Sequence, residues 1–271
     1  MKLGAITLQN RPWNELLESW RYLDGLELDS LWVADHLANP MRTERPWFDG
    51  WTCLPALAAA TSRARVGALV SSMVLRNPAT LAKAAITLDH VSGGRAELAV
   101  GAGGAPFDRE LAGEPPYAFT EFVERLVRLL GDESLQPRPL QPRIPLTIGG
   151  QSETVLDLAA RHADRWNTYG GRGLDPDEAL RRSRERNERL TVLCAEHGRD
   201  PSTLTRSILI GYPFVGEKPW RSEEAFADMV GRWSQAGFDE LIVYYPPETG
   251  MPDGSVAPRV FERSVDRMRE G

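Results

Sequence analysis

VGALVSSMVL, residues Val66 to Leu75, leads into RNPATLAKAAITLDHVSGG, residues Arg76 to Gly94, and then into RAELAVG, ending at Gly101. These three pieces read as strand, helix and strand. Pro78 stands in the first turn of the helix, where a missing N–H leaves nothing unpaired. Leu81, Ala84, Leu88 and Val91 recur at three- and four-residue steps, the period of an amphipathic helix. Ser92-Gly93-Gly94 ends it, and Ala96 to Gly101 is short and apolar enough for a buried strand. A strand, a crossover helix and a second strand make a right-handed parallel unit.

The same alternation extends in both directions. Upstream, Leu3–Leu8 and Ser30–Ala34 read as strands, with helices from Trp13 to Leu26 and from Trp51 to Ala60. Downstream, strands are predicted at Pro145–Ile148, Arg165–Tyr169, Ser207–Val215 and Leu241–Tyr245. Helices are predicted over Phe119–Leu130, from Ser152 as N-cap, over Pro176–His197, Ser222–Gln235 and Val260–Met268. Eight such units in a chain close to the usual length of about 250 residues predict a single (β/α)₈ TIM barrel over residues 1–271. A doubly wound open sheet is the competing architecture. The loops Asn39–Gly50 and Gly131–Arg143 read as surface excursions from one domain.

With 271 residues, 42% of them hydrophobic, the chain can bury a sizeable core, and its net charge of −6 argues against nucleic acid as a partner. No run approaches the roughly 20 apolar residues of a membrane span, and no signal peptide is visible, so the expected setting is the cytoplasm. Cys53 and Cys194 are then expected to be reduced, buried packing residues. No HxH or HExxH spacing joins His36, His90, His162 and His197, so no metal site is expected. No GxSxG elbow, Walker loop or GxGxxG fingerprint occurs either.

In a barrel of this kind the chemistry lies at the C-terminal ends of the strands. That rule selects Gln9-Asn10, Asp35-His36, Val70 to Leu75, Gly101-Ala102-Gly103-Gly104, Gly149-Gly150-Gln151-Ser152, Asn167 to Gly171 and Tyr244-Tyr245. Asp35-His36 is the acid–imidazole pair among them, suited to proton transfer near neutrality, although a loop cap and a packing residue would look the same. Gly149 to Ser152 runs directly into a helix and is the better of two glycine-rich anion sites, against the plain reading of a tight βα turn. Trp47 and Trp51 can wall a planar ligand, whereas Trp20 and Trp233 read as packing.

Several of these segments together resemble the luciferase-like flavin- and deazaflavin-dependent oxidoreductases. Leu31-Trp32-Val33-Ala34-Asp35-His36 is similar to that family's second strand, and Trp51-Thr52 through Arg63 to the helix that follows. Arg76-Asn77-Pro78-Ala79, Ser92-Gly93-Gly94-Arg95, Val100-Gly101-Ala102-Gly103, Ile148-Gly149-Gly150 and Ala159 through Asn167 continue the resemblance, which covers roughly residues 1 to 210. It implies a small-molecule substrate, a homodimer, and a ring cofactor over the barrel mouth, with Asp35 and His36 as the catalytic pair and His36 facing the reactive part of the ring. Leu69, Val70, Ala102, Gly103, Gly149, Gly150, Gln151 and Ser152 would bind the cofactor, with a non-prolyl cis peptide at Leu69–Val70 or Val70–Ser71. Arg172 or Arg109 would meet an acidic cofactor tail.

The chain departs from the family pattern in three places, and a fourth position bears on the cofactor. Gly104 stands where many deazaflavin-dependent relatives carry an acid, and the nearest acid is Asp108. The segment between Leu130 and Ile144 is short, and Pro40 replaces an aromatic found in sugar-phosphate-oxidising relatives. Leu37 occupies the place of a second His found in many FMN users. The resemblance therefore implies hydride transfer between coenzyme F420 and a small organic substrate. The competing readings are an FMN-dependent monooxygenase, a non-catalytic flavin-binding homologue, and a lyase or hydrolase without a redox cofactor.

Overall fold

The computed structural model describes residues 1–40, 42–211, 217–247, 256–257 and 259–270. The chain begins with β1 (Lys2–Thr7), α1 (Trp13–Gly25), β2 (Ser30–Val33), α2 (Gly50–Ala59), β3 (Arg65–Ala68), β4 (Ser71–Ser72) and α3 (Pro78–Ser92). It continues with β5 (Leu98–Gly101), α4 (Pro106–Ala112), α5 (Phe119–Gly131), β6 (Leu146–Gly149), α6 (Glu153–His162), β7 (Arg165–Thr168) and α7 (Pro176–Glu196). It ends with β8 (Thr205–Ile210), α8 (Glu223–Gln235), β9 (Glu240–Tyr245) and α9 (Val260–Glu270). Every strand pair is parallel.

The sheet closes on itself, which rules out the open doubly wound alternative. β1 lies between β2 and β9, with Gly4 opposite Ser30 and Ile242. The far side is sealed where Val66 bridges Ala96 and β4 pairs with β5. β3 and β4 are therefore one stave, and the nine strands make eight staves. The continuous third strand expected from Val66 to Leu75 is interrupted at Leu69–Val70, which is the non-prolyl cis peptide that the family resemblance implies. The eighth of the predicted helices and all the earlier ones are present within a few residues. The predicted run to Val215 ends at Ile210 in β8, and Tyr212 to Gly216 fall outside the described residues. One helix, α4, was not legible: seven residues span two turns, too few for periodicity to show, and only Pro106 at its start marks it.

Side chains alternate along each stave between the helical shell and the barrel interior. The shell side carries the large core, including fully buried Trp20 and Trp233. The interior holds two different layers. Toward the N-terminal ends of the strands it is ionic. Arg165 of β7 is ion-paired with Glu97 and lies 2.8 Å from Glu240 of β9, all three buried. Ser30 Oγ donates to Glu240 at 2.9 Å and accepts from Trp32 Nε1 at 2.8 Å, while Arg65 Nε reaches Glu97 at 3.2 Å. Burial pushes the Glu240 carboxyl up and the Arg165 guanidinium down, and the charge of each opposes the shift of the other. Trp32 fills the layer above, which requires Gly67: a Cβ there would sit 2.9 Å from the indole and 2.3 Å from the Glu97 carbonyl oxygen. Toward the C-terminal ends the interior is aliphatic, with Ile6, Leu8, Ala34, Leu69, Leu209 and Tyr244 in one cluster.

Removing Arg165 leaves Glu240 buried without a cation and Glu97 with Arg65 alone. Arg165→Met is expected to lower stability by about 3–5 kcal/mol in urea denaturation, the usual cost of breaking a buried ion pair. Adding Glu240→Gln to that variant should restore part of the loss. A single variant as stable as the parent would show that the layer does not fasten the barrel.

Candidate functional site

A cavity of about 490 Å³ opens at the C-terminal end of the barrel, above the aliphatic layer. Its floor is Ile6, Leu8, Leu69 and Leu209, and its sides carry His36, Phe107, Tyr169 and Tyr244. Apart from His36, the charged side chain lining it among the described residues is Arg172, which is exposed at the mouth.

His36 is held on three sides. Its Nδ1 lies 2.7 Å from Asp108 Oδ2, and the other Asp108 oxygen accepts the Leu37 N–H at 2.9 Å. Its carbonyl accepts the Trp47 Nε1–H at 2.9 Å. The Phe107 and Trp47 rings flank the imidazole, with centroids 5.9 and 6.3 Å away. An ionised carboxylate only accepts, so the proton on the neutral ring sits on Nδ1 and the lone pair of Nε2 is left for the cavity. Asp108 is 1% exposed and belongs to α4, the helix that periodicity missed.

This corrects the expected Asp35–His36 pair. Neighbouring residues on an extended chain point to opposite sides, and Asp35 points away from the cavity. Its carboxylate accepts from the Ser72 N–H at 3.0 Å and from Arg76 Nη2 at 2.5 Å. Arg76 also bonds Asp49 Oδ1 at 2.6 Å, and Asp49 caps α2 through the Thr52 N–H at 2.7 Å. The two carboxylates raise the Arg76 pKa against the opposing effect of burial, so the clamp stays charged. Asp35 thus braces the end of the second stave rather than meeting a ligand. Gln9 braces it from the other side, its amide accepting from Ala34 N at 3.0 Å and donating to Ala34 O at 2.6 Å.

Of the residues expected to bind a cofactor, Leu69 lines the cavity; Val70, Ala102, Gly103, Gly149, Gly150, Gln151 and Ser152 do not. Val70 lies against Gly149, where a Cβ would meet its Cγ1 at 2.7 Å, so the glycine makes room for the bulge. Gly150 to Ser152 lead into α6, where Ser152 Oγ accepts the Val155 N–H at 3.4 Å. In front of that turn a surface recess is lined by Gln151, Arg181, Arg182, Arg186 and Arg189 together with Glu153 and Glu185, and Arg186 Nη1 donates to Gly170 O at 2.9 Å. Gly170 lies between Tyr169 and Arg172 of the cavity. Arg109 is ion-paired with Glu114, which leaves Arg172 as the cation at the mouth. Trp51 faces Ser71 and the groove between α2 and α3 instead, with Nε1 3.1 Å from Ser71 Oγ. Both cysteines are buried, and burial pushes the Cys53 thiol up to about 11, which suits inert packing residues.

Residues 1–254 match the profile of the luciferase-like monooxygenases. The chain belongs to that family. Its luciferase-like relatives include an uncharacterised protein of Mycobacterium tuberculosis, 30% identical over 228 residues, covering 76% of this chain and 71% of the relative. An F420-dependent glucose-6-phosphate dehydrogenase of Amycolatopsis mediterranei is 32% identical over 189 residues, covering 59% of this chain and 55% of that protein. Among solved structures, an F420-dependent secondary alcohol dehydrogenase superposes with a TM-score of 0.76 at 16% identity, covering 98% of both chains. The family's enzymes are oxidoreductases, and no described helix is long and apolar enough to cross a membrane.

The pairing of His36 with Asp108 is open to a direct test. In ¹⁵N-labelled protein His36 is expected to carry its proton on Nδ1, and Asp108→Asn should give a mixture of tautomers. A variant spectrum identical to the parent's would mean that Asp108 does not orient the ring.

Proposed function

We propose that this chain is an F420-dependent oxidoreductase that moves a hydride between the deazaflavin and a small organic substrate, with His36 exchanging the substrate's proton. The observation that carries this reading is the His36–Asp108 pair at the wall of an apolar cavity. When bound, a deazaflavin supplies a carbon centre that accepts or returns hydride. The chain's own residues do the rest. The Nε2 lone pair takes the O–H proton of an alcohol as its C–H hydride leaves, so that a carbonyl forms; in reverse, the protonated ring returns that proton. Asp108 keeps the imidazole in the required tautomer and offsets the charge it gains. Phe107 and the aliphatic floor keep water away from the reacting centre. Gly150 to Ser152, with Arg182 and Arg186 beside them, would hold the cofactor's anionic part.

The names of the relatives support the cofactor, and the cavity narrows the substrate. A sugar phosphate brings a dianion, and among the described residues the cavity wall offers it Arg172 at the mouth, with Pro40 in the lining. The non-catalytic alternative loses its main support. It rested on the absence of an acid at Gly104 and on the short segment between Leu130 and Ile144, and α4 brings Asp108 to the histidine in place of the first. The FMN-dependent monooxygenase is the second reading, favoured by the family to which the chain belongs.

Titrating the purified protein with F420 and with FMN by fluorescence separates the two. Micromolar binding of F420 and much weaker binding of FMN are expected; tight FMN binding with none of F420 would favour the monooxygenase. His36→Ala should cut turnover by about 10²- to 10⁴-fold, the usual contribution of general acid–base catalysis. Its melting temperature should stay within a few degrees of the parent's. An equal collapse of stability would make His36 a packing residue.

A further inference from the structure

β9 carries its inward side chains in three storeys. Glu240 closes the ionic layer, Ile242 packs in the aliphatic layer, and Tyr244 reaches the cavity. Tyr244 is 5% exposed and lies among Ile6, Leu8, Leu69 and Leu209. Among the described residues none hydrogen-bonds to its phenol. The hydroxyl is not among the sealed, unpaired polar atoms of the described residues, so it is open to solvent space, where a ligand can pair it. Here the space beside it is the cavity itself.

We propose that Tyr244 selects and orients the substrate, donating a hydrogen bond to the single oxygen-bearing group of a compact, otherwise apolar molecule, a carbonyl or hydroxyl compound seated against the aliphatic floor. The inference rests on the hydride-transfer reading of the same cavity. Three features of the site fix the chemistry of the ligand. The phenol is a neutral donor: burial pushes its pKa up, Arg172 only partly opposes that, and the O–H therefore keeps its proton throughout the neutral range. The floor beside it is aliphatic, so the part of the ligand seated there is favoured to be apolar. The cavity, about 490 Å³, lies toward the small end of ligand pockets and must also admit a cofactor ring. What remains suits a small ketone, aldehyde or secondary alcohol better than a polyol or a phosphate ester.

The test compares two probes of one shape, cyclohexanone and methylenecyclohexane, on the cofactor-free protein by ligand-observed NMR titration. The parent should bind the ketone about tenfold more tightly than the hydrocarbon, the worth of one hydrogen bond to an otherwise unpaired group. Tyr244→Phe should bring the two affinities within about twofold of each other. Glucose 6-phosphate should not displace the ketone. A second measurement needs no variant: adding cyclohexanone to the parent should shift the tyrosine difference absorption, as expected for a phenol gaining an acceptor. An undiminished ketone preference in Tyr244→Phe, displacement by glucose 6-phosphate, or a parent spectrum unmoved by saturating ketone would each overturn the proposal. The cofactor reading fails separately, on a parent that does not bind F420, which none of these titrations uses.

Discussion

The barrel depends on charge placed where charge is most expensive. Glu97, Arg165 and Glu240 come from three different staves and meet inside the sheet, with Ser30, Trp32 and Arg65 joining from two more. Each carboxylate, stripped of water, is tolerated because a guanidinium faces it, Arg165 for Glu240 and Arg165 with Arg65 for Glu97, and the same holds in reverse. That requirement fixes the relative register of the staves, because sliding any one of them would carry a charge away from its partner. Trp32 then seals the layer, and Gly67 gives way to it. With the lower interior filled in this way, the upper interior need not carry stability and can be left hollow.

The upper layer obeys a different rule. Its walls are aliphatic, and its few polar groups are positioned by contacts made outside the cavity. His36 is oriented by Asp108 and by Trp47; the chain just before it is braced by Gln9 on one side and by the Asp35–Arg76–Asp49 clamp on the other. None of the three clamp residues lines the cavity, yet each helps to decide where the imidazole stands. A loop end held by side-chain-to-backbone bonds on two sides is well suited to a residue whose position must be accurate.

Much of this was legible before any coordinate. Periodicity and punctuation located the staves, the closing helices and the rim, because apolar spacing and glycine stops are local properties of the chain. The rim rule brought out His36 and Tyr244, and the family resemblance brought out Leu69. What escaped was of two kinds. α4 spans only two turns, so it has no period to detect, and Asp108 arrived with it, 72 residues from its partner. The pairing of Asp35 with His36 was suggested by adjacency, but adjacency along an extended strand places side chains on opposite faces. The interruption of the third stave at Leu69–Val70 came from family resemblance alone, since nothing in the residue types there marks it.

The acid that serves His36 stands on a short helix outside the sheet, bounded by Pro106 and Gly113. No stave runs through it, and none of the buried charges of the lower layer touches it. The chain therefore separates what must be inherited from what can be exchanged. A lineage can lengthen, shorten or replace this one excursion, and so change which carboxylate meets the imidazole or how wide the mouth stands, while the staves beneath keep their register.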